Sequence, residues 1–267
     1  MPETEKEKFE KFLKINNFDE ARKILVTKIT ANDLDWKSVK LDNSHSVQVC
    51  LPVRVKGPDD RMYYVPVTPS ETWNFAKLFN ALPLTSLVFD QYHNQGTYIQ
   101  RSGNHDASNK TGKHFHTFSE YLNQQNYHLG MKSGAHKLWI LSTGGRSINR
   151  GFYFPKPKDP VKYKAKKVDG GLEGPGGPGG PKLSPAYWLI QVRGPAHNSG
   201  HWDYSQLLQL MKSDDLFGVT VDFKDSLFKL PYGTVPSLKL VRLREAVIEG
   251  LPEVWDEPKK ISPDILP

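Results

Sequence analysis

Two apolar runs alternate on either side of a Gly-Pro-Asp-Asp turn, and this pattern constrains the fold more than any other in the chain. Residues 47–55 read VQVCLPVRV and residues 61–67 read RMYYVPV, with KGPDD between them. Side chains that alternate about a turn rich in Gly, Pro and Asp specify a β-hairpin with one buried face. Pro52 and Pro66 then belong at edge or bulge positions, because proline has no N–H to give to a ladder. The preceding stretch, Glu5 to Thr30, has a different period. Phe9, Phe12, Leu13, Phe18, Ala21, Ile24 and Leu25 recur mostly at three- and four-residue steps, which predicts a pair of amphipathic helices broken near Asn16 and Asn17.

Helical and strand periods in one chain of 267 residues predict an α+β fold in a single domain, with N-terminal helices and a mixed or antiparallel β core. Thr68 and Ser70 ahead of ETWNFAKLFN mark a helix start, and a second short helix is expected from about Leu84 through Tyr92. TFSEYLNQQN has a helical pattern inside an otherwise polar region, Gly96 to Asn126. HKLWIL, Gly151 to Phe154 and AYWLIQV read as strands, and YSQLLQLMK reads as a helix. Residues 156–182 carry a lysine run followed by GGLEGPGGPGGPK, a composition that offers too little apolar surface to offset its ordering entropy. The expectation there is a flexible low-complexity insertion, and residues 251–267 are expected to form a Pro-rich tail.

Composition excludes some functions. No apolar run approaches the roughly 20 residues needed to cross a bilayer, so no membrane span is expected. The formal charge is +7, but the lysine excess sits largely between Lys156 and Lys167, as in a solvated loop, so a nucleic-acid partner is not expected. The N-terminus has no secretory signal pattern, which suggests a cytoplasmic or a mature secreted chain. Cys50, the single cysteine, sits in a strand-like apolar setting and reads as a buried inert thiol.

The chemically dense stretch is PAHNSGHWDYS, which gathers His197, His201, Asp203, Tyr204 and Ser205 within nine residues. Three roles fit it. His-x3-His-x-Asp offers imidazole and carboxylate ligands to a metal, although Pro195, Asn198 and Gly200 oppose the helix that this spacing would need, and no metal or other cofactor is assigned. In an acid-base role, Asp203 orients His197 while Ser205 or Tyr204 attacks or contacts substrate. In a purely structural role, Asp203 or Ser205 caps the helix expected to follow. His93, His136 and Lys137 lie at element ends and, with His201 and Trp202, are candidate ligand-binding residues. These residues suggest a hydrolase-like enzyme acting on a polar polymer, a glycan or cell-wall peptide. The alternatives are a noncatalytic module binding carbohydrate or peptide, and a structural protein.

The same segments resemble a family of uncharacterised, mainly bacterial proteins. EKFLKINNFDEARKI, YYVPVTPSETWNFAKLFNALPLTSLVFDQYH, GAHK, RGFY and HNSGHWDYS are similar, in this order, to that family's helical opening, its strand, helix and L-P-T turn, and its G-H-K-K, Y-G-W-H and H-x3-Y-x-D-Y-S stretches. The resemblance implies roles for His197, Asp203, Tyr204 and Ser205, and implies no particular reaction. The chain departs from the pattern at Leu138, Tyr153, His201 and Gln206.

Overall fold

A computed structural model describes residues 2–40, 46–84, 86–100, 114–140, 147–155, 167–168, 171–172, 187–197 and 200–212. The insertion expected at 156–182 lies outside the described residues apart from two short paired strands within it, and the expected tail at 251–267 lies wholly outside them.

The chain opens with the two expected helices, α1 (Glu5–Lys14) and α2 (Phe18–Val26). Thr4 caps α1 in a capping box with Glu7, and Asn16 makes the break in a left-handed conformation with φ of 58°. Strands β1 (Trp36–Lys40) and β2 (Ser46–Cys50) pair antiparallel. The expected hairpin is shorter than its alternation: only β3 (Arg54–Lys56) and β4 (Met62–Tyr64) pair, closed by the turn at Gly57 to Asp60, while VQVC belongs to β2 and the four-stranded sheet. Helix α3 (Pro69–Leu78) starts where the sequence marks it, with Thr68 and Glu71 in a reciprocal cap and Pro69 in the first turn. After it come β5 (Ala81–Pro83), α4 (Ser86–Gln95), β6 (Thr97–Tyr98), α5 (Phe115–Gln124), β7 (Lys132–Ser133) and β8 (Lys137–Ile140). Strand β9 (Ser147–Pro155), the two-residue strands β10 (Lys167–Val168) and β11 (Gly171–Leu172), β12 (Tyr187–His197) and β13 (Leu210–Lys212) follow.

The fold is α+β, and its strands are almost all antiparallel. A four-stranded sheet runs β1-β2-β13-β5, and a three-stranded sheet runs β12-β9-β8. Helix α5 covers the outer edge of β4 with side chains in place of a strand. Ser119 Oγ accepts from Tyr64 N at 3.0 Å and donates to Tyr64 O at 3.2 Å, and Asn123 Nδ2 donates to Met62 O at 2.8 Å. An edge that would otherwise be open to a further strand is thereby closed.

The largest departure from the sequence reading is at YSQLLQLMK, which is no helix. Residues 203–209 run through the interior in bridges and turns and enter strand β13 at Leu210. Leu207, Leu208, Leu210 and Met211 have spacings compatible with one helical face, but Ser205, Gln206 and Gln209 are buried as completely as the leucines. A segment enclosed on every side has no polar face to give to solvent, so its apolar spacing does not report a helix. The backbone groups find partners on several elements. Val67 N donates to Gln206 O at 2.9 Å, and Val53 N donates to Leu208 O at 3.0 Å. Pro66 forms an antiparallel bridge with Leu207, and β13 pairs with both β2 and β5. The segment is the seam that joins the hairpin, the four-stranded sheet and β8.

Candidate functional site

Lys137 opens β8 and lies beside the seam in parallel register with Gln206. Its N–H donates to Ser205 O and its carbonyl accepts from Leu207 N, both at 2.9 Å. Gly151 on β9 stands opposite on the other side, with φ of +154°, and approaches the Lys137 backbone so closely that a Cβ there would collide with it. This backbone frame delivers the Lys137 side chain to Asp203, and the ammonium pairs with Asp203 Oδ2. The other oxygen, Oδ1, accepts from Ser205 N at 2.9 Å and from Ser205 Oγ at 2.7 Å. Asp203 N donates to Gln206 Oε1 at 2.7 Å, so the carboxylate, the hydroxyl and the amide side chain close one tight turn.

Lys137 and Asp203 are 2% and 8% exposed, which makes this an ion pair inside the core. Burial pushes the Asp203 carboxyl up, but the charge and hydrogen bond of Lys137 and the two donors of Ser205 outweigh it, and the carboxyl is held below its ordinary range. Ser205 is fully buried and its hydroxyl is engaged by Asp203. Tyr204 is also fully buried, packed edge-on against Phe118 of α5 at 4.9 Å. Asp203 and Ser205 are bonded to each other, Tyr204 packs away from them on Phe118, and Lys137 is the described partner of the carboxylate. His197 is the last residue of β12, opposite Ser147 of β9, and its side chain lies outside the described residues. The helix that Asp203 or Ser205 was expected to cap is absent. Asp203 instead binds the backbone of its own turn within the interior.

Towards solvent, Gly200 is exposed and His201 is half-buried with its ring edge-on to Trp139 at 6.2 Å. Trp202 is 4% exposed and pins helix α2 to the seam. Its Nε1 donates to Asp19 Oδ1 at 2.5 Å, and the Arg22 guanidinium stands 4.9 Å from the ring centre. Arg22 in turn makes a bidentate pair with Glu71 at 2.6 and 3.0 Å, and the same Glu71 caps α3. Trp202 therefore anchors a packing interface.

His136 and His93 lie deeper in the core. His136 Nε2 donates to Gln209 Oε1 at 2.7 Å, since the Gln209 amide nitrogen is used on Cys50 O at 3.0 Å, and His136 Nδ1 accepts from Tyr127 OH at 2.5 Å. His93 Nδ1 lies 2.5 Å from Ser133 Oγ. Burial pushes the imidazoles down, to about 4 at His136 and about 3 at His93, where His136 adds to the effect. Both are neutral at pH 7. Cys50 is buried, and its thiol is pushed up to about 12 by that burial. Among the described residues, no group of three or more His, Cys, Asp or Glu is placed to hold a metal ion, and no helix is long and apolar enough to cross a membrane.

A separate cleft of about 480 Å³ opens between α1, the β3–β4 hairpin and α5. Leu13, Arg61, Met62, Tyr63, His116, Glu120, Asn123 and Gln124 line it. Asn123 Oδ1 is enclosed there and has no hydrogen-bond partner, while the nitrogen of the same amide is held by Met62 O. No motif in the sequence joins these residues into a site. The signal that could have pointed to them is the polar set Glu120, Asn123 and Gln124, neighbours on one helix.

No family model, curated protein or solved structure matches this chain. The likeness to the bacterial family therefore rests on the quoted motifs alone.

Proposed function

We propose that this chain is a noncatalytic binding module that takes a polar ligand, a glycan fragment, in the cleft between α1, β4 and α5. The observation that carries this reading is the cleft itself, where Glu120, Asn123 and Gln124 of one helix and Arg61 of the hairpin turn supply a polar lining. The volume falls within the range typical of ligand sites. Arg61, Glu120 and Gln124 are exposed beside it and present planar donor and acceptor groups suited to neighbouring hydroxyls.

The PAHNSGHWDYS stretch supplies rigidity in this reading. Asp203 and Ser205 are bonded to each other and to Lys137, and Tyr204 is core, so a nucleophilic or substrate-contacting role would first require the turn to open. A hydrolase-like role for His197 is the rival reading, favoured by the charged Asp203 six residues further along the chain.

One titration separates them. Soluble oligosaccharide and disaccharide-peptide fragments of bacterial cell wall are added to the full chain while backbone amides are followed by NMR. Saturable shifts at Glu120, Asn123 and Gln124 are expected, with binding weakened about tenfold or more in Asn123→Leu, equivalent to roughly 1.4 kcal/mol. Absence of saturable shifts, or shifts indifferent to Asn123→Leu, overturns the cleft assignment. Cleavage of the fragment during the titration, lost in His197→Ala, replaces the binding role with the hydrolase-like one.

A further inference from the structure

The two oxygens of the buried Asp203 carboxylate have different surroundings. Oδ2 meets the Lys137 ammonium, whereas Oδ1 accepts two donors from Ser205, its N–H at 2.9 Å and its hydroxyl at 2.7 Å. Both partners lie in the interior, on neighbouring extended segments whose register is fixed by the bonds from Lys137 N to Ser205 O and from Leu207 N to Lys137 O. The amine therefore faces a carboxyl group whose opposite oxygen is already cradled. Two donors within 2.7–3.1 Å are what a developing oxyanion needs. We propose that Lys137 and Asp203 condense in the folded chain to an amide, an isopeptide bond between β8 and the seam.

The step balances without an oxidant, a reductant or a co-reactant. One proton passes from Nζ to Oδ2 and turns two buried charges into a neutral amine and a neutral acid. The nitrogen lone pair attacks Cγ and forms the C–N bond, while the carbonyl electron pair moves onto Oδ1 between the Ser205 donors. The Cγ–Oδ2 bond then breaks, Oδ2 takes a second proton from nitrogen and leaves as water, and the carbonyl reforms at Oδ1. The product is uncharged. Holding the two groups in contact replaces an encounter between separate molecules with a step inside one, worth about 7–11 kcal/mol of barrier in well-oriented cases. Because the ion pair is the resting form, condensation follows folding and is slow. The amide leaves no carboxylate at Asp203, so the bond and an orienting role for Asp203 on His197 exclude each other.

Mass spectrometry tests this on the wild-type full chain, incubated in its folded state and then denatured. The expected result is a chain lighter than its sequence by one water, and a tryptic digest containing a branched peptide that joins the residues around Lys137 to those around Asp203, with no cleavage after Lys137. Lys137→Arg, which keeps the positive charge but lacks the primary amine, should show the full mass. An unchanged wild-type mass overturns the proposal. So does a loss of water accompanied only by linear peptides, which places the dehydration elsewhere, or a loss that persists in Lys137→Arg. The wild-type peptide map decides the matter even if the variant does not fold.

Discussion

Lowering the pH from 7 to 5 is expected to remove about 4 kcal/mol of folding stability, at about 2 kcal/mol for each of two buried histidines. His136 and His93 are held neutral in the folded chain, with pKa values pushed by burial to about 4 and about 3, whereas the unfolded chain titrates them at their ordinary value of 6.5. Below pH 6.5 the unfolded state takes up protons that the folded state refuses. Stability therefore falls as the pH drops, and each contribution levels off only at the folded pKa. Asp203 acts in a lower window. Its folded pKa is depressed, so its contribution is present above the unfolded carboxylate value and is lost as the pH falls through the folded one. Urea denaturation at pH 7, 6 and 5 checks the slope. His136→Gln, which keeps a neutral polar group between Tyr127 and Gln209, should make it about half as steep between pH 6 and 5. A slope unchanged in that variant would show that His136 is not the group being titrated.

In the freshly folded chain, before any condensation, removing one partner of the Lys137–Asp203 pair is expected to cost about 3–5 kcal/mol, since the other charge is left alone in the core. Lys137→Met keeps the length of the side chain and strands the carboxylate, which still has its two Ser205 donors. Asp203→Ala strands the ammonium and also opens the turn to Ser205 and Gln206, so it should cost at least as much. The double variant Lys137→Met/Asp203→Ala leaves no unpaired charge and should be more stable than the sum of the single losses implies, by about 1–3 kcal/mol. Denaturant midpoints for the four proteins give this coupling directly. Simple additivity would mean that the two side chains do not act on each other, and would remove the pair as the fastening of the seam.

Elements whose signals are local were legible in the sequence. Thr68 and Ser70 mark the start of α3, and of the two it is Thr68 that caps it, with Pro69 as the first helical residue. The alternation on both sides of Gly57 to Asp60 yields β3 and β4. The stretch from Asp203 to Met211 was not legible, because helix and strand differ there only in which side chains meet solvent, and all of these are buried. Leu207, Leu208, Leu210 and Met211 show the same composition in either form. What settles the matter is the set of distant backbone groups at Val53, Val67 and Lys137, separated from the seam by 68 to 155 residues of chain. The partner of Asp203 was hidden for the same reason. Lys137 lies far away in sequence, whereas His197 and His201 are near and chemically suggestive. His136 and His93 read alone as candidate ligand-binding residues at element ends, and their buried partners Gln209, Tyr127 and Ser133 are visible only in the fold.

The seam is the element on which this interpretation depends, and native-state hydrogen exchange probes it most directly. The amides of Leu207 and Leu210, and those of Val53 and Val67 that donate into the seam, are bonded within the core and should exchange only through global unfolding. Their exchange free energies should therefore equal the stability measured with denaturant and fall together in Lys137→Met. Exchange of Leu207, Val53 and Val67 at free energies well below global stability, as in a surface loop, would contradict a buried seam fastened by Lys137 and Asp203.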